Sequence, residues 1–483
     1  MRAVPRLAKT CCCRRTIAGL TMLLTLLGTA PARANDFSVL SDSIAAQSSH
    51  LRQLEQTLDR SDHRLVEPLT SLARTHMRAN QFDEAHQVLD RTIQILRFNE
   101  GLYTPAQYEV LQLIAENHRN RGNWSEANED LEHLGWLYTS SFQGRVDEQL
   151  TRLIWLSDFH LAAIFEDQSA NQVAHLKKAT GINQLAVEIA RQSDDAAPRL
   201  RMTLLYDLVL KYHMETQGIR GGGSSGYEIR VLTPNSASVQ SRKTGVARRY
   251  RAGLDALEEI RTLLAAQPGG ASAEARAMVD LYISDWNLLF NKSASAARDY
   301  EAIHQRMIAA GLPQDSVDEL FARPAVLPAT EFHSSLEAAL SARHRQSADG
   351  IASLPLRLLE PSPRFPGYVK HPRAGADDRL SGKNWATLRV TSRIEPDARI
   401  TRWLNGTLQT NPAGGEVLDV QALGEGSGQV MDAALAHLSQ IRFRPVLQAG
   451  SAIPVDLTLD YIVPLPDTAR FEMLRAAALL SLR

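Results

Sequence analysis

Residues 69–76 read Leu-Thr-Ser-Leu-Ala-Arg-Thr-His, residues 111–118 read Leu-Gln-Leu-Ile-Ala-Glu-Asn-His, and residues 153–160 read Leu-Ile-Trp-Leu-Ser-Asp-Phe-His. Each octet begins 42 residues after the one before it. Apolar Leu69, Leu111 and Leu153 recur at that step, as do Leu72, Ile114 and Leu156, then the small Ala73, Ala115 and Ser157, then His76, His118 and His160. Further along, Ala85, Ala127 and Ser169 keep the step, followed by Leu89, Leu131 and Val173. Apolar residues three and four apart define one helix face. A fixed period in the range of tens of residues marks stacked structural repeats.

The pattern within a unit is apolar-x-x-apolar-small-x-x-His, then small-x-x-x-apolar. It resembles the tetratricopeptide repeat, a helix–turn–helix unit. By that resemblance Leu69, Leu72, Ala73 and His76 lie on the first helix, and Ala85 and Leu89 on the second. Small residues let the two helices approach, while Asn80-Gln81 and Gly122-Asn123 fall at the turn. The step exceeds the usual ~34 residues, which implies longer helices or a longer connection. The third unit has weaker turn chemistry.

Helical spacing continues to about residue 310, with helices expected over 198–217 and 246–266 and a further pair around Ile283-Ser284 and Ala296 to Tyr300. Residues 218–245, rich in Gly and Ser, read as a surface loop with a short strand at 227–232. Prolines then cluster at 313, 324, 328, 355, 361, 363, 366 and 372. Regular helix does not run through that density, so 312–383 reads as a linker or covering segment, with a short helix at 334–345.

The last domain is expected over 384–466, followed by a helical tail at 467–483. Its strands are read at 385–394 and 399–410 around the turn Glu395-Pro396-Asp397-Ala398. An amphipathic helix at 428–440 carries Val430, Ala434, Leu435 and Leu438 inward, and a third strand follows at 453–463. Asp432-Ala433-Ala434, Arg442-Phe443-Arg444-Pro445, Gly450 and Pro454-Val455 make this stretch resemble the C-terminal domain of TonB-type energy transducers. Asp397-Ala398-Arg399 stands where that family usually has a glycine, and residues 413–427 read as an insertion. Residues 417–423 are an alternative second strand. The expected fold is therefore multidomain, α plus α+β: an α-solenoid of helical hairpins over 35–311, then a small ββαβ TonB-C-like domain.

The chain has 53 Lys+Arg and 54 Asp+Glu, a formal charge of −1. Six of the basic residues (Arg2, Arg6, Lys9, Arg14, Arg15 and Arg33) and no acidic ones fall in residues 1–34. Taking those six from 53 leaves 47 basic against 54 acidic residues, or −7. A mildly acidic body argues against a nucleic-acid backbone binder. The basic start, the apolar run at 17–30 and Ala32-Arg33-Ala34 read as a secretory signal cleaved after Ala34. The run is shorter than the ~20 residues a spanning helix needs. All three cysteines, Cys11 to Cys13, lie in that signal. The processed chain then has no disulfide, thiolate metal site or thiol nucleophile.

No arrangement points to an enzyme or to a cofactor. Gly222-Gly223-Ser224-Ser225-Gly226 has the spacing of a nucleophile elbow, but a Gly/Ser loop surrounds it instead of a strand and a helix. His76, His118 and His160 do not read as a metal site, because successive repeats stand roughly 8–10 Å apart and zinc ligands must each reach about 2.1 Å. Arg242, Lys243, Arg248, Arg249 and Arg251 read as a solvated helix start. Two binding surfaces are expected instead. One is the helical groove, with Arg74, Arg78, Glu116 and Asn120 off the apolar stripe. The other is a sheet edge at 453–463, with Val455, Leu457 and Leu459 on it, Arg442 and Arg444 flanking it, and Phe443 under the sheet; an extended peptide adds to such an edge.

The TonB resemblance implies envelope proteins or extended peptides as partners, outer-membrane receptor segments among them. No nucleic acid and no small-molecule substrate is expected. The sequence reading is thus an exported, non-catalytic, periplasmic binding scaffold. The alternative is a TonB-like transducer that keeps its N-terminal segment as an inner-membrane anchor.

Overall fold

The computed structural model describes residues 31–140, 142, 144–167, 172–220, 236–267, 270–346, 356–359, 385–397, 400–410, 417–418 and 441–464. The described chain is mainly helical, with thirteen α-helices, and its strands gather toward the C-terminal end. It divides into two compact units, one up to Leu137 and one from Tyr138. No described helix is long and apolar enough to cross a membrane. The expected signal before residue 31 lies outside the described residues.

The first unit contains α1 (Pro31–Glu55), a short 3-10 turn (His63–Leu65), α2 (Val66–Arg78), α3 (Phe82–Glu100), α4 (Gln107–Asn120) and most of α5 (Trp124–Ser140). The first two octets lie on α2 and α4. Leu69, Leu72, Ala73, Leu111, Ile114 and Ala115 are buried there, with Ala85 and Leu89 on α3 and Ala127 and Leu131 on α5. The turns after α2 and α4 share one mechanism. Asn80 (φ 58°) and Gly122 (φ 75°) enter the left-handed region, which Asn and Gly adopt at least cost. The next N–H then folds back to the helix: Gln81 N–H donates to His76 O at 2.9 Å, and Asn123 N–H to His118 O at 2.9 Å.

The second unit holds α6 (Val146–Glu166), α7 (Gln172–Gln192), α8 (Pro198–Arg220), α9 (Ser236–Ala265), α10 (Ala273–Leu289), α11 (Ala296–Ala309), α12 (Gln314–Phe321) and, after a short strand, α13 (Leu336–Gln346). Each helix from α6 to α13 packs on its neighbour in sequence. The third octet lies on α6, but its turn differs. Four residues after His160, where Asn80 and Gly122 stand in the earlier units, is Ile164. A β-branched residue resists positive φ, so the helix runs on to Glu166 and buries Ile164. The left-handed turn returns at Asn291 (φ 53°) after α10 and at Gly311 (φ 84°) after α11.

Helices α8 and α9 both extend into the expected Gly/Ser loop. Residues 221–235, with the expected strand at 227–232 and the Gly-Gly-Ser-Ser-Gly stretch, lie outside the described residues. The basic cluster therefore belongs to helix α9 itself. Lys243, Arg248 and Arg251 are exposed, while Arg249 is buried and ion-paired with Glu215 of α8 at 2.9 Å. Residues 312–346 are not a bare linker. Val317, Leu320 and Phe321 of α12 and Leu336 and Leu340 of α13 are all buried.

The strands are β1 (Ala325–Leu327), β2 (Leu356–Leu359), β3 (Trp385–Ile394), β4 (Ile400–Thr410), β5 (Val417–Leu418), β6 (Arg442–Arg444), β7 (Val446–Gln448), β8 (Ser451–Ile453) and β9 (Val455–Pro464). They form a five-stranded sheet in the order β2-β9-β3-β4-β5 and two small pairs, β1-β6 and β7-β8. Strands β3, β4 and β9 fall close to the expected positions. The sheet is larger than the expected three strands, because β2 and β5 are added at its two sides. Residues 417–418 are a strand beside β4, so they do not replace it. The expected helix at 428–440 and tail at 467–483 lie outside the described residues.

One close approach sets the α9–α10 packing. A Cβ built on Gly253 of α9 would stand 2.2 Å from Cζ2 of Trp286 on α10. That ring is fully enclosed, and its Nε1–H donates to Tyr250 O at 2.9 Å. Gly253→Ala is expected to cost about 1–3 kcal/mol, read as a lower urea midpoint at unchanged slope.

Candidate functional site

The site is built around residues 441–464, which lead from the helices to β9. Arg444 and Asp285 define how this stretch is seated. Asp285 stands on α10 among the buried Leu281, Tyr282, Leu288 and Leu289. Its carboxylate receives Arg444 Nε at 3.2 Å and Nη2 at 2.5 Å, and Tyr300 Oη–H of α11 at 2.7 Å. Both charged side chains are buried. Burial alone would pull the guanidinium down; the Asp285 carboxylate beside it holds it above its ordinary value. Burial raises the Tyr206, Tyr282 and Tyr300 phenols, so they remain protonated donors.

Neighbouring strands take their positions from this pair. Strand β6 pairs antiparallel with β1, placing Arg444 opposite Ala325 and Phe443 opposite Val326. Arg343 of α13 donates to Leu320 O at 2.6 Å and Arg323 O at 2.7 Å at the end of α12. Burial, with Arg444 nearby, pulls its guanidinium down to about 10. Tyr206 and Tyr282 donate to Ala329 O and Glu331 O, fastening the chain before α13 to α8 and α10. The β7–β8 hairpin turns at Ala449 (φ 50°) and Gly450 (φ 79°), the two-residue geometry that suits strand twist. Its tip sits on α11: Ala452 N–H donates to Glu301 Oε1 at 2.9 Å, and a Cβ on Gly450 would come within 3.0 Å of Gln305. Only Pro454 separates β8 from β9.

Strand β9 is not an open edge along its whole length, which corrects the expected edge at 453–463. It pairs antiparallel with β3 over Val455–Pro464, and in parallel with β2 through Leu356↔Leu459, Arg357↔Asp460, Leu358↔Tyr461 and Leu359↔Ile462. Among the described residues, Val455 to Thr458 have a strand neighbour on the β3 side alone. Val455 and Leu457 are half-buried. Leu459 is the ladder partner of Leu356 in β2. Asp456 reaches Arg393 of β3 at 3.6 Å.

The other expected site residues separate. Arg444 does not flank this edge; it is inside, on Asp285. Phe443 is buried in β6, opposite Val326 of β1. Arg442 is half-exposed opposite Leu327. In the first unit Arg74 is ion-paired with Glu109, Glu116 is half-exposed, and Arg78 and Asn120 are exposed. Asp285 is the buried partner of Arg444 that the sequence does not single out. Its signal was a lone carboxylate on the apolar stripe of a helix, matched far away by an arginine between Phe443 and Pro445.

The three repeat histidines each have a local partner. His76 Nδ1 is 2.7 Å from Gln81 Oε1, and His118 Nδ1 is 2.8 Å from Asp130 Oδ2. His160 Nδ1 lies 3.0 Å from His175 Nδ1 on α7, and His175 Nε2 lies 3.1 Å from Asp167 Oδ2. An ionised Asp167 accepts only, so His175 Nε2–H donates to it, and His175 Nδ1 accepts from His160 Nδ1–H. Burial holds both imidazoles below their ordinary value; His175 and Lys178 add to this for His160, while the Asp167 hydrogen bond opposes it for His175. Among the described residues, no group of three or more His, Cys, Asp or Glu is placed to hold a metal ion. No family model matches the sequence, and no curated protein matches it.

Two predictions follow from these contacts. Removing one partner of a buried ion pair costs about 3–5 kcal/mol. Arg444→Met and Asp285→Leu should each lower stability by that order, and the double variant by much less than their sum, as measured by urea unfolding. Simple additivity would show that the two side chains do not act as a pair. The histidine pair predicts a pH effect of definite sign. The native state resists protonation that the unfolded chain accepts near pH 6.5. Its stabilising contribution is therefore present above that pH and lost as pH falls toward 5, by up to about 1.4 kcal/mol per pH unit for each proton. His160→Phe should flatten this dependence in denaturant titrations at pH 7.5, 6.5 and 5.5.

Proposed function

We propose that this chain is an exported, non-catalytic protein-binding scaffold of a bacterial cell envelope. In this reading, tetratricopeptide-like hairpins form an α-solenoid that presents Arg74, Arg78, Glu116 and Asn120. A TonB-C-like sheet binds extended segments of envelope proteins, outer-membrane receptors among them. The observation that carries the reading is the β9 edge at Val455 to Thr458, which among the described residues has one strand neighbour. Backbone N–H and C=O groups on such an edge take up an added strand, and side-chain register supplies selectivity. The 42-residue recurrence supports the solenoid half of the reading, since stacked helix pairs offer extended surfaces for other chains.

Cell fractionation with N-terminal sequencing tests where the protein works. A soluble periplasmic form beginning at Asn35 is expected. An intact N-terminus in the inner membrane would favour the energy-transducer alternative. The binding mode has its own test. In an antiparallel ladder, alternate residues direct N–H toward opposite neighbours. One of Asp456→Pro and Leu457→Pro therefore removes an outward donor while sparing the β3 ladder. The variant that keeps its circular dichroism and melting temperature should recover several-fold less crosslinked envelope partner. Equal recovery from that variant would count against strand addition.

A further inference from the structure

Six large apolar side chains are exposed among the described residues, and four of them gather at one place in the first unit. Phe98 (76% exposed), Leu102 (58%) and Tyr103 (49%) lie at the end of α3 and in the turn after it, and Trp136 (45%) is on α5. The Tyr103 and Trp136 rings meet edge-on, with centroids 5.1 Å apart. Burial, and then Arg97 of α3, holds His133 of α5 below its ordinary value, so the two helix ends stand side by side. A fully buried aromatic side chain removes roughly 150–250 Å² from water, so these four leave roughly 400 Å² of apolar surface in it. Single exposed apolar residues are ordinary, whereas a patch of several hundred Å² marks a contact surface.

Hydrogen bonds hold the turn that carries the patch at both of its ends. Gly101 N–H donates to Arg97 O at 3.1 Å, and Gln107 Nε2 donates to Gly101 O at 2.5 Å. Just before the turn, Asn99 Nδ2 donates to Ser61 O at 2.7 Å, and Glu100 is ion-paired with His63 at 2.5 Å. Leu102 and Tyr103 are thus presented to solvent by a fastened segment. Surfaces fixed in advance lose less freedom when a partner settles on them.

Charge then selects the occupant. Helix α5 carries Glu126, Glu129, Asp130 and Glu132 and no Lys or Arg. Asp130 meets His118, while Glu126, Glu129 and Glu132 are exposed. Glu132 and Glu129 precede Trp136 by one and two helical turns, so they share its face, and Glu129 stands about 10 Å along the axis. Against them stands Arg97 of α3. Residues 38–137 as a whole hold fifteen Asp+Glu against nine Arg and no Lys. That field repels anionic lipid and nucleic acid. A two-fold contact with a second copy would set the same patch against itself, bringing two acidic rows together at a cost. A segment with apolar side chains beside basic ones meets neither obstacle.

We propose that the end of α3, the turn after it and the solvent face of α5 form a docking surface for an extended partner segment that joins an apolar pair to a basic pair. The apolar pair covers Phe98, Leu102, Tyr103 and Trp136, and the basic pair lies on Glu129 and Glu132. About 10 Å along α5 equals about three residues of extended chain, which sets the spacing between the pairs. Buried Trp and Tyr dominate the affinity of such contacts, and the carboxylates add selectivity and faster encounter. The surface belongs to the second helices of the hairpins. It uses neither the expected groove residues of α2 and α4 nor the β9 edge, so it goes beyond the strand-addition reading and is tested apart from it.

Labelled synthetic peptides are titrated against the whole protein by fluorescence anisotropy. Lys-Lys-Ser-Ser-Leu-Phe and its reversal Phe-Leu-Ser-Ser-Lys-Lys cover both chain directions. Glu-Glu-Ser-Ser-Leu-Phe and Lys-Lys-Ser-Ser-Ser-Ser remove the basic and the apolar pair in turn. The tighter of the two Lys/Leu-Phe peptides should bind about tenfold better than either control, and its advantage should shrink as salt is raised. Phe98→Ser, a change at an exposed position, should lower its affinity about tenfold at an unchanged melting temperature. Glu129→Lys and Glu132→Lys together should reverse the charge preference, so that the Glu peptide binds better.

Equal affinity for the Lys and Glu peptides would overturn the proposal, as would no binding of either Lys/Leu-Phe peptide at millimolar concentration. A preference for Lys that survives the double charge reversal would overturn the role of Glu129 and Glu132. Two further measurements address the other occupants. Cosedimentation of the protein with phosphatidylcholine–phosphatidylglycerol vesicles, lost in Phe98→Ser, would overturn the proposal by assigning the patch to a lipid surface. A concentration-dependent dimer in sedimentation velocity, lost in the same variant, would overturn it by assigning the patch to a second copy.

Discussion

A guanidinium and a carboxylate, 159 residues apart in sequence, meet inside the second unit. Buried charges are costly to desolvate, and a buried pair commonly contributes little net stability. The Arg444–Asp285 pair matters because either group alone in that position would be far worse. Strand β6 therefore has one acceptable register against β1, the register that delivers Arg444 to Asp285. Tyr300 occupies a further lone pair of the carboxylate, and Arg343 caps α12 alongside. From that anchor the chain runs through Pro445, the β7–β8 hairpin on α11 and Pro454 directly into β9. The location of the sheet edge in the second unit is thus a consequence of one ion pair.

The legible parts of this fold were those governed by local rules. Helix spacing, the left-handed residue at Asn80 and Gly122, and alternation through 385–394 all act over a few residues and are visible in the string. The departure of the third unit was equally local, since Ile164 replaces the residue that must turn. What the string concealed was partner choice across distance. Nothing near Arg444 indicates that its partner is on α10, so a surface role was the natural expectation for a basic residue in a strand. The prolines of 312–383 suggest a linker or a covering segment, and Pro313, Pro324 and Pro328 punctuate short elements whose apolar residues Val317, Leu320, Phe321 and Leu327 are buried.

The edge itself was misjudged for a related reason. A strand of four residues between prolines leaves almost no periodic signal, and parallel pairing to a strand about a hundred residues later leaves none. Only the observed ladder shows that Leu356 to Leu359 cover part of β9. An uncovered strand edge is a template for unwanted pairing. The cover therefore serves the free protein by shielding four ladder positions, whatever partner is present.

In the proposed strand-addition reading, covering and recognition use the same backbone groups. A partner strand and β2 cannot both pair with Leu459 to Ile462. Any change that strengthens β2 lowers partner affinity by the same factor, and a bound partner loosens β2 by that factor in turn. A longer covering strand would protect the sheet better but resist exchange, whereas no covering strand would leave a standing site for aggregation. The four-residue length of β2 lies between those limits.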